Sequence, residues 1–523
     1  MPVVPDAAGG KVGEVAAHRS RSERVFLLLL VVLTALVVAG HFRPYLARDF
    51  FPGDLGAYYC AGKVVLHHQD PYRVEPLLDC ERSIPMERVN GDTVDPAPLP
   101  GYDYIPMAAL AILPPHFAAV TFGILLLGAT VLIAYCLTRM SALPPIVAFA
   151  VAFMGITYDA SGTGQLPPLA IAAAAAGALL LRLGKHRWAV LAASGTLLQP
   201  QFGLPILVAL FLFIPRARLV TAMIGAALVL FSIAAVGVRG TIEYLSVVPI
   251  HARSEVTAPI QYSFTWLAHV FGASANVALM IGTVSYIVFF AICLLVLARG
   301  GERAVKTGAI ILLPAAFAIF GGTFIHYHQV TVALLAAVVL IVPTRSGTPL
   351  MLLPAALLTV PFVQTQYSTT AALPSLLLAV IAAWCVVFFP TRTSGERTAA
   401  KNAFVTATAV AGFIALMLVL FHPLHEIRLA NGHFDIMRAA RLVHDPDALA
   451  TLESEQEDDA MAKYHLDPTP LFYYILLKLP TWCGVAMTLW FSSRVLLGER
   501  EDRRQGLEDS APVAEVAPWL KSL

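Results

Sequence analysis

The sequence predicts an all-α polytopic membrane protein, and three observations carry that prediction. Of the 523 residues 58% are hydrophobic and 13% charged, with a mean hydropathy of +0.73, far above an ordinary soluble domain. Apolar runs able to cross about 30 Å of hydrocarbon, roughly 20 residues each, recur from Val25 to Leu497 with no large polar domain between them. Runs this apolar must satisfy their own backbone inside a bilayer, which makes them helices.

Charge and cysteine usage narrow the function classes. The net charge is +1, and the basic residues sit at segment ends instead of forming a stripe, so no nucleic-acid partner is expected. Six cysteines are too few for a disulfide scaffold. Cys136, Cys293, Cys385 and Cys483 fall inside apolar runs, where a thiol acts as a small hydrophobe. Cys60 and Cys80 share the loop after the first run and can pair if that loop faces an oxidising compartment. The run after Arg24 is too long for a signal-peptide core and is expected to stay uncleaved.

The positive-inside rule sets the order of the elements. Lys11, Arg19, Arg21 and Arg24 place residues 1–24 inside as a cytoplasmic tail, and 25–497 form the transmembrane domain. Residues 43–103 make a first outer loop, with further outer loops at 239–275 and 422–470 and a second cytoplasmic tail at 498–523. Spans are expected near 116–138, 145–158, 167–181, 219–238, 275–297, 308–322, 330–342, 350–363, 372–389 and 404–421, and before Arg494. One segment breaks the alternation: "WAVLAASGTLLQPQFGLPILVALFLFIPRAR" carries basic residues at both ends and Gln-Pro-Gln at its centre. It is either a re-entrant hairpin of two half-helices or one kinked span.

This threading gathers the polar residues set in apolar context on the outer face: Asp49, Asp54, Asp70, Asp103, Asp159, Gln165, Gln261, Tyr262, His326, His328, Gln364, Gln366 and Tyr367. An outward polar cavity at the membrane boundary is the reading, against the plainer one that short outer loops are polar everywhere. Within the first loop, Pro52–His68 reads as an amphipathic helix lying at the interface, with Tyr58 and Tyr59 as anchors and "QDPY" as its stop. Asp54 opens that helix, as an N-cap or as a general base near a low-dielectric boundary. His326 and His328 stand two residues apart, not at the i,i+4 spacing of helical zinc ligands, which favours a phosphate over a metal. Arg253 offers similar service to an anion. No P-loop, no GxGxxG after a strand and no GxSxG elbow occurs, which argues against a nucleotide-driven pump or a soluble-type hydrolase.

"GDLGAYYCAGKVVLHHQDPY" resembles the acid-Leu/Phe-x-x-Tyr, Ala-Gly, Asp-Pro-Tyr signature in the first outer loop of glycosyltransferase family 87. "YDYIPMAALAILPP", "GTGQLPPLAIAAAA", "GTLLQPQFGLPILV", "QYSFTWLAHVFG" and "HYHQVTVALL" come after it in the expected order, so the resemblance covers most of Asp49–Leu335. It implies a GT-C-type fold with about 12–13 transmembrane helices and an interfacial helix in the first outer loop. It also implies an inverting, metal-independent transfer of a sugar, mannose first, from a polyprenyl phosphate donor to a lipid or glycan acceptor, with no cofactor. The setting would be a bacterial inner membrane with the active site on its outer, periplasmic face. Asp54 would be the base and His326 or His328 would meet the donor phosphate; only the family register ranks Asp49 second. Apart from the resemblance, Arg253, Gln165, Tyr59 and Tyr262 are expected to complete the donor and substrate site as polar residues of the outer face. Where the family often has Lys-Pro this chain has Gln199-Pro200, and the last third matches nothing in the family. A transporter or flippase of a lipid-linked intermediate is the alternative, with the Gln-Pro-Gln break as its substrate site.

Overall fold

A computed structural model describes residues 21–85, 97–141, 143–254, 256, 261–342, 349–362, 373–389 and 469–498. The expected span at 404–421 and outer loop at 422–470 therefore lie, but for Thr469 and Pro470, outside the described residues. Nearly everything described is helical: α1 (Arg21–Phe42), α2 (Gly53–Leu66), α3 (Val74–Arg82), α4 (Tyr104–Ala111), α5 (Pro115–Ser141), α6 (Pro145–Ala152) and α7 (Tyr158–Thr163) come first. Next are α8 (Pro167–Arg182), α9 (His186–Ser194), α10 (Pro200–Phe213), α11 (Arg218–Ser254), α12 (Phe264–Val270), α13 (Ala275–Gly300) and α14 (Glu302–Lys306). The last are α15 (Ala309–Ala318), α16 (Tyr327–Val330), α17 (Val332–Ala336), α18 (Leu353–Thr359), α19 (Leu373–Phe388) and α20 (Thr469–Leu497). An isolated antiparallel bridge joins Gln261 and His326.

Among the described residues six segments are long and apolar enough to cross a membrane: Val25–Leu46, Pro115–Ser141, Pro145–Thr163, Pro215–Arg253, Ala275–Gly300 and Tyr474–Leu497. Five further apolar helices run 10–17 residues. The twelve or thirteen full spans expected are thus not all full length among the described residues, because prolines and π turns shorten several of them. Leu28, Leu29 and Leu36 on α1 and Leu219, Leu230 and Leu245 on α11 are each more than 60% exposed. Exposed apolar rows of this size fit a hydrocarbon surround and not water. The core mixes large aliphatic residues with small ones: α8 and α15 contribute alanines that let helices approach closely.

Two local outcomes differ from the sequence reading, and a third settles a pairing it left open. The helix expected at the interface forms as α2, yet Leu55–Gly62 are all buried, so it lies packed inside the fold and not on its surface. Gly62 explains the close fit, since a Cβ there would stand 2.4 Å from the Met107 backbone carbonyl of α4. A disulfide between Cys60 and Cys80 ties α2 to α3. The loop expected at 239–275 is largely helical, because α11 bends at Gly237 (φ 75°, ψ 173°) and then continues to Ser254. Arg73 fastens that continuation to the first loop through a 3.0 Å ion pair with Glu243, while also contacting Asp70 of the helix stop at 3.3 Å.

The Gln-Pro-Gln segment resolves as a hairpin. A 3-10 turn at Gly195–Leu198 and the extended backbone of Gln199 (φ −132°, ψ 91°) separate α9 from α10, as a residue before proline requires. The turn Pro215–Ala217 that closes the far end packs back on α9, leaving Gln199 at the tip. The tip is buried and accepts two hydrogen bonds at Oε1, from Gln201 Nε2 (2.8 Å) and Gln329 Nε2 (3.2 Å).

Candidate functional site

Three segments meet at one point: the first turn of α2, the end of α7 with the loop behind it, and residues 325–329. Each is held there for a local reason. Pro52 occupies the cap position of α2 with no side-chain cap bond, so Asp54 lies in the first turn and is not the cap residue. Its charge there still suits the positive end of the helix dipole. Phe153–Thr157 form a π turn ahead of α7, a local widening that re-aims the α7 side chains, Asp159 among them. Gly164 ends α7 at φ +85°, and a Cβ on it would stand 2.6 Å from Leu55 Cβ, so glycine alone lets Gln165 sit against α2.

Asp54 is partly exposed at this junction. Burial raises its pKa above the ordinary carboxylate value of 3.8, while the charge of His328 and hydrogen bonds from Gln165 and Thr163 pull the other way, with a smaller pull from His326. Gln165 receives the Tyr58 hydroxyl at Oε1 (3.0 Å), which leaves its amide nitrogen to donate to the Asp54 carboxylate. Asp49, the runner-up carboxylate, is exposed in the turn before α2.

Across from Asp54, His326 and His328 are both buried, with ring centroids 5.3 Å apart at right angles. His328 Nδ1 lies 3.6 Å from Asp159 Oδ2. His326 opens α16 in a reciprocal capping arrangement with Gln329, whose Oε1 accepts the His326 backbone N–H at 2.8 Å. Gln261 pairs with this segment and accepts the Ile325 N–H at 2.8 Å, and Tyr262 donates its backbone N–H to the Ile325 carbonyl. Tyr262 is itself buried, 5.7 Å from the Tyr327 ring.

Of the residues singled out in the sequence, the structure brings Asp54, Gln165, His326 and His328 together, with Tyr262 directly behind the histidine segment. Tyr59 and Arg253 lie elsewhere. The Tyr59 hydroxyl donates to the Leu113 carbonyl at 3.0 Å and its ring packs on Phe51, so its neighbour Tyr58 is the tyrosine facing the site. Arg253 is exposed and donates toward Asn276 Oδ1 at 3.5 Å. Asp159 and Thr163 stood in the "DASGTGQ" segment without a role; the signal was an acid and a hydroxyl beside Gln165 at the end of an apolar run. Among the described residues no group of three or more His, Cys, Asp or Glu is placed to hold a metal ion.

Comparison of the chain with protein-family models, with curated proteins and with solved structures finds no match in any of the three. The geometry of this cluster therefore stands on its own chemistry: a carboxylate with a raised proton affinity faces two imidazoles, one of them held by a second carboxylate.

Proposed function

We propose that the chain is a membrane glycosyltransferase that moves a sugar, mannose first, from a polyprenyl phosphate to a hydroxyl of a lipid or glycan acceptor. The single observation that carries the reading is Asp54, a partly exposed carboxylate of raised pKa set opposite His326 and His328. Asp54 takes the proton of the acceptor hydroxyl as its oxygen bonds to the anomeric carbon. The bond from that carbon to the phosphate oxygen breaks on the opposite face, inverting the centre and leaving a polyprenyl phosphate with one more negative charge. His326 and His328 receive that charge, and Asp159 orients His328. Gln165 and Thr163 keep Asp54 aimed.

The reaction is assigned to the outer face of a bacterial inner membrane. The Cys60–Cys80 disulfide supports that side, since such bonds persist in oxidising compartments. A lipid tail lying between helices accounts for donor binding without a soluble domain. The test is purified protein with radiolabelled polyprenyl phosphate sugars and a lipid extract. Covalent label in the acceptor supports transfer; label crossing a bilayer unchanged supports the transporter reading, which the buried hairpin tip at Gln199 favours.

A further inference from the structure

A buried lysine amine stands one aromatic ring away from the candidate site. Lys478, on α20, is 1% exposed. Its Nζ lies 3.0 Å from the centroid of the Trp266 ring and 5.5 Å from that of Tyr262, and among the described residues it has no hydrogen-bond partner. A cation taken out of water is costly unless paired, and contact with a ring face offsets only part of that cost. Its surroundings are rich in unused donors: among the described residues Trp266 Nε1 and Gln261 Nε2 are also buried without partners, beside the unpartnered hydroxyls of Tyr262 and Thr481, and the Tyr262 carbonyl receives Trp482 Nε1 at 3.0 Å. A lysine amine that takes up a proton as an anion arrives, with an indole N–H and an amide N–H in the same buried neighbourhood, suits an oxyanion with several acceptor oxygens.

We propose that Lys478 binds the phosphate of a lipid-linked ligand, its four-carbon stem moving Nζ off Trp266 and onto the phosphate. The connection to the site is structural. Gln261 pairs with His326 and Tyr262 bonds to Ile325, so these donors back the segment that carries both histidines. Lys478 lies about one turn from the Tyr474 end of an apolar helix long enough to cross a membrane, the level of a lipid headgroup, which points to a phosphate that arrives on a lipid instead of from water. That this lipid is the sugar donor rests on the function proposed above.

The experiment is equilibrium binding of polyprenyl monophosphate, without sugar, to the full chain in detergent. The matching polyprenol and inorganic phosphate serve as separate arms, and Lys478→Met and Lys478→Arg are compared with the parent. The parent binds the phosphate lipid more tightly than the alcohol; Lys478→Met weakens the phosphate lipid by about tenfold or more and leaves the alcohol unchanged, while Lys478→Arg stays within about threefold. Equal affinity of the parent and Lys478→Met for the phosphate lipid overturns the proposal. So does inorganic phosphate binding as tightly as the lipid with the same dependence on Lys478, because the ligand is then a free phosphate. Lys478→Met removes a buried charge at similar length, and should it fail to fold, Lys478→Gln against Lys478→Arg makes the same comparison. Lysine-dependent lipid binding without sugar transfer contradicts the proposed function and supports this site; transfer with Lys478-independent binding does the reverse.

Discussion

His328 Nδ1 lies 3.6 Å from Asp159 Oδ2, a contact between two segments 169 residues apart in the chain. The carboxylate draws the imidazole proton to Nδ1 and so sets the ring's orientation, leaving Nε2 for whatever enters the site. Asp159→Asn is expected to lower sugar transfer by about 10²-fold through a misplaced His328, with the protein still folded. Initial rates across donor concentrations, set beside a melting curve, check this.

The raised pKa of Asp54 fixes the sign of two pH effects. A base must be ionised to act, so transfer is expected to fall as pH drops through a value above 3.8, and the usual carboxylate range marks the lower bound of that limb. Stability runs the other way. Below 3.8 the group holds its proton whether folded or not; between 3.8 and the raised value only the folded chain keeps it, so stability declines as pH rises. Asp54→Asn should therefore melt higher than the parent at neutral pH, with the gap closing as pH falls. A pH series of melting temperatures measures it.

Gly164 joins fold and site. Gly164→Ala puts a side chain at φ +85° and a Cβ 2.6 Å from Leu55, so it is expected to cost about 1–2 kcal/mol for the backbone alone and to push Gln165 away from Asp54. Transfer should drop more than the melting temperature implies, and both are read on one preparation.

The Cys60–Cys80 bridge closes a loop with a sequence separation of 20. Replacing both cysteines by serine is expected to cost about 3 kcal/mol and to loosen α2, on which Asp54 sits. In intact cells, protection of both thiols from alkylation until a reductant is added reports the bond itself.

The sequence made the helical membrane class legible because apolar runs are long and charges collect at their ends. It also marked Asp54, Gln165, His326 and His328, since each interrupts apolar context near the same face. Asp159 had the same signal, but its partner is far away in the chain and no local spacing pairs it with His328. Tyr58 and Tyr59 were not separable in the sequence because both sit in a helix that is buried nearly all round, and period alone does not say which neighbour each faces. Lys478 escaped notice for a related reason: its environment is made by Trp266 and Tyr262, more than 200 residues earlier. Burial of α2 was hidden by its tyrosines, which suit a membrane interface as well as a packed interior, and only the Gly62 approach to Met107 distinguishes the two.

The central claim is that Asp54 removes the acceptor proton. Purified parent and Asp54→Asn, each folded by melting curve, are incubated with radiolabelled polyprenyl phosphate mannose and a lipid extract. Transfer by the parent and a loss of at least about 10²-fold in Asp54→Asn is the result the account predicts; transfer by Asp54→Asn at the parent's rate contradicts it.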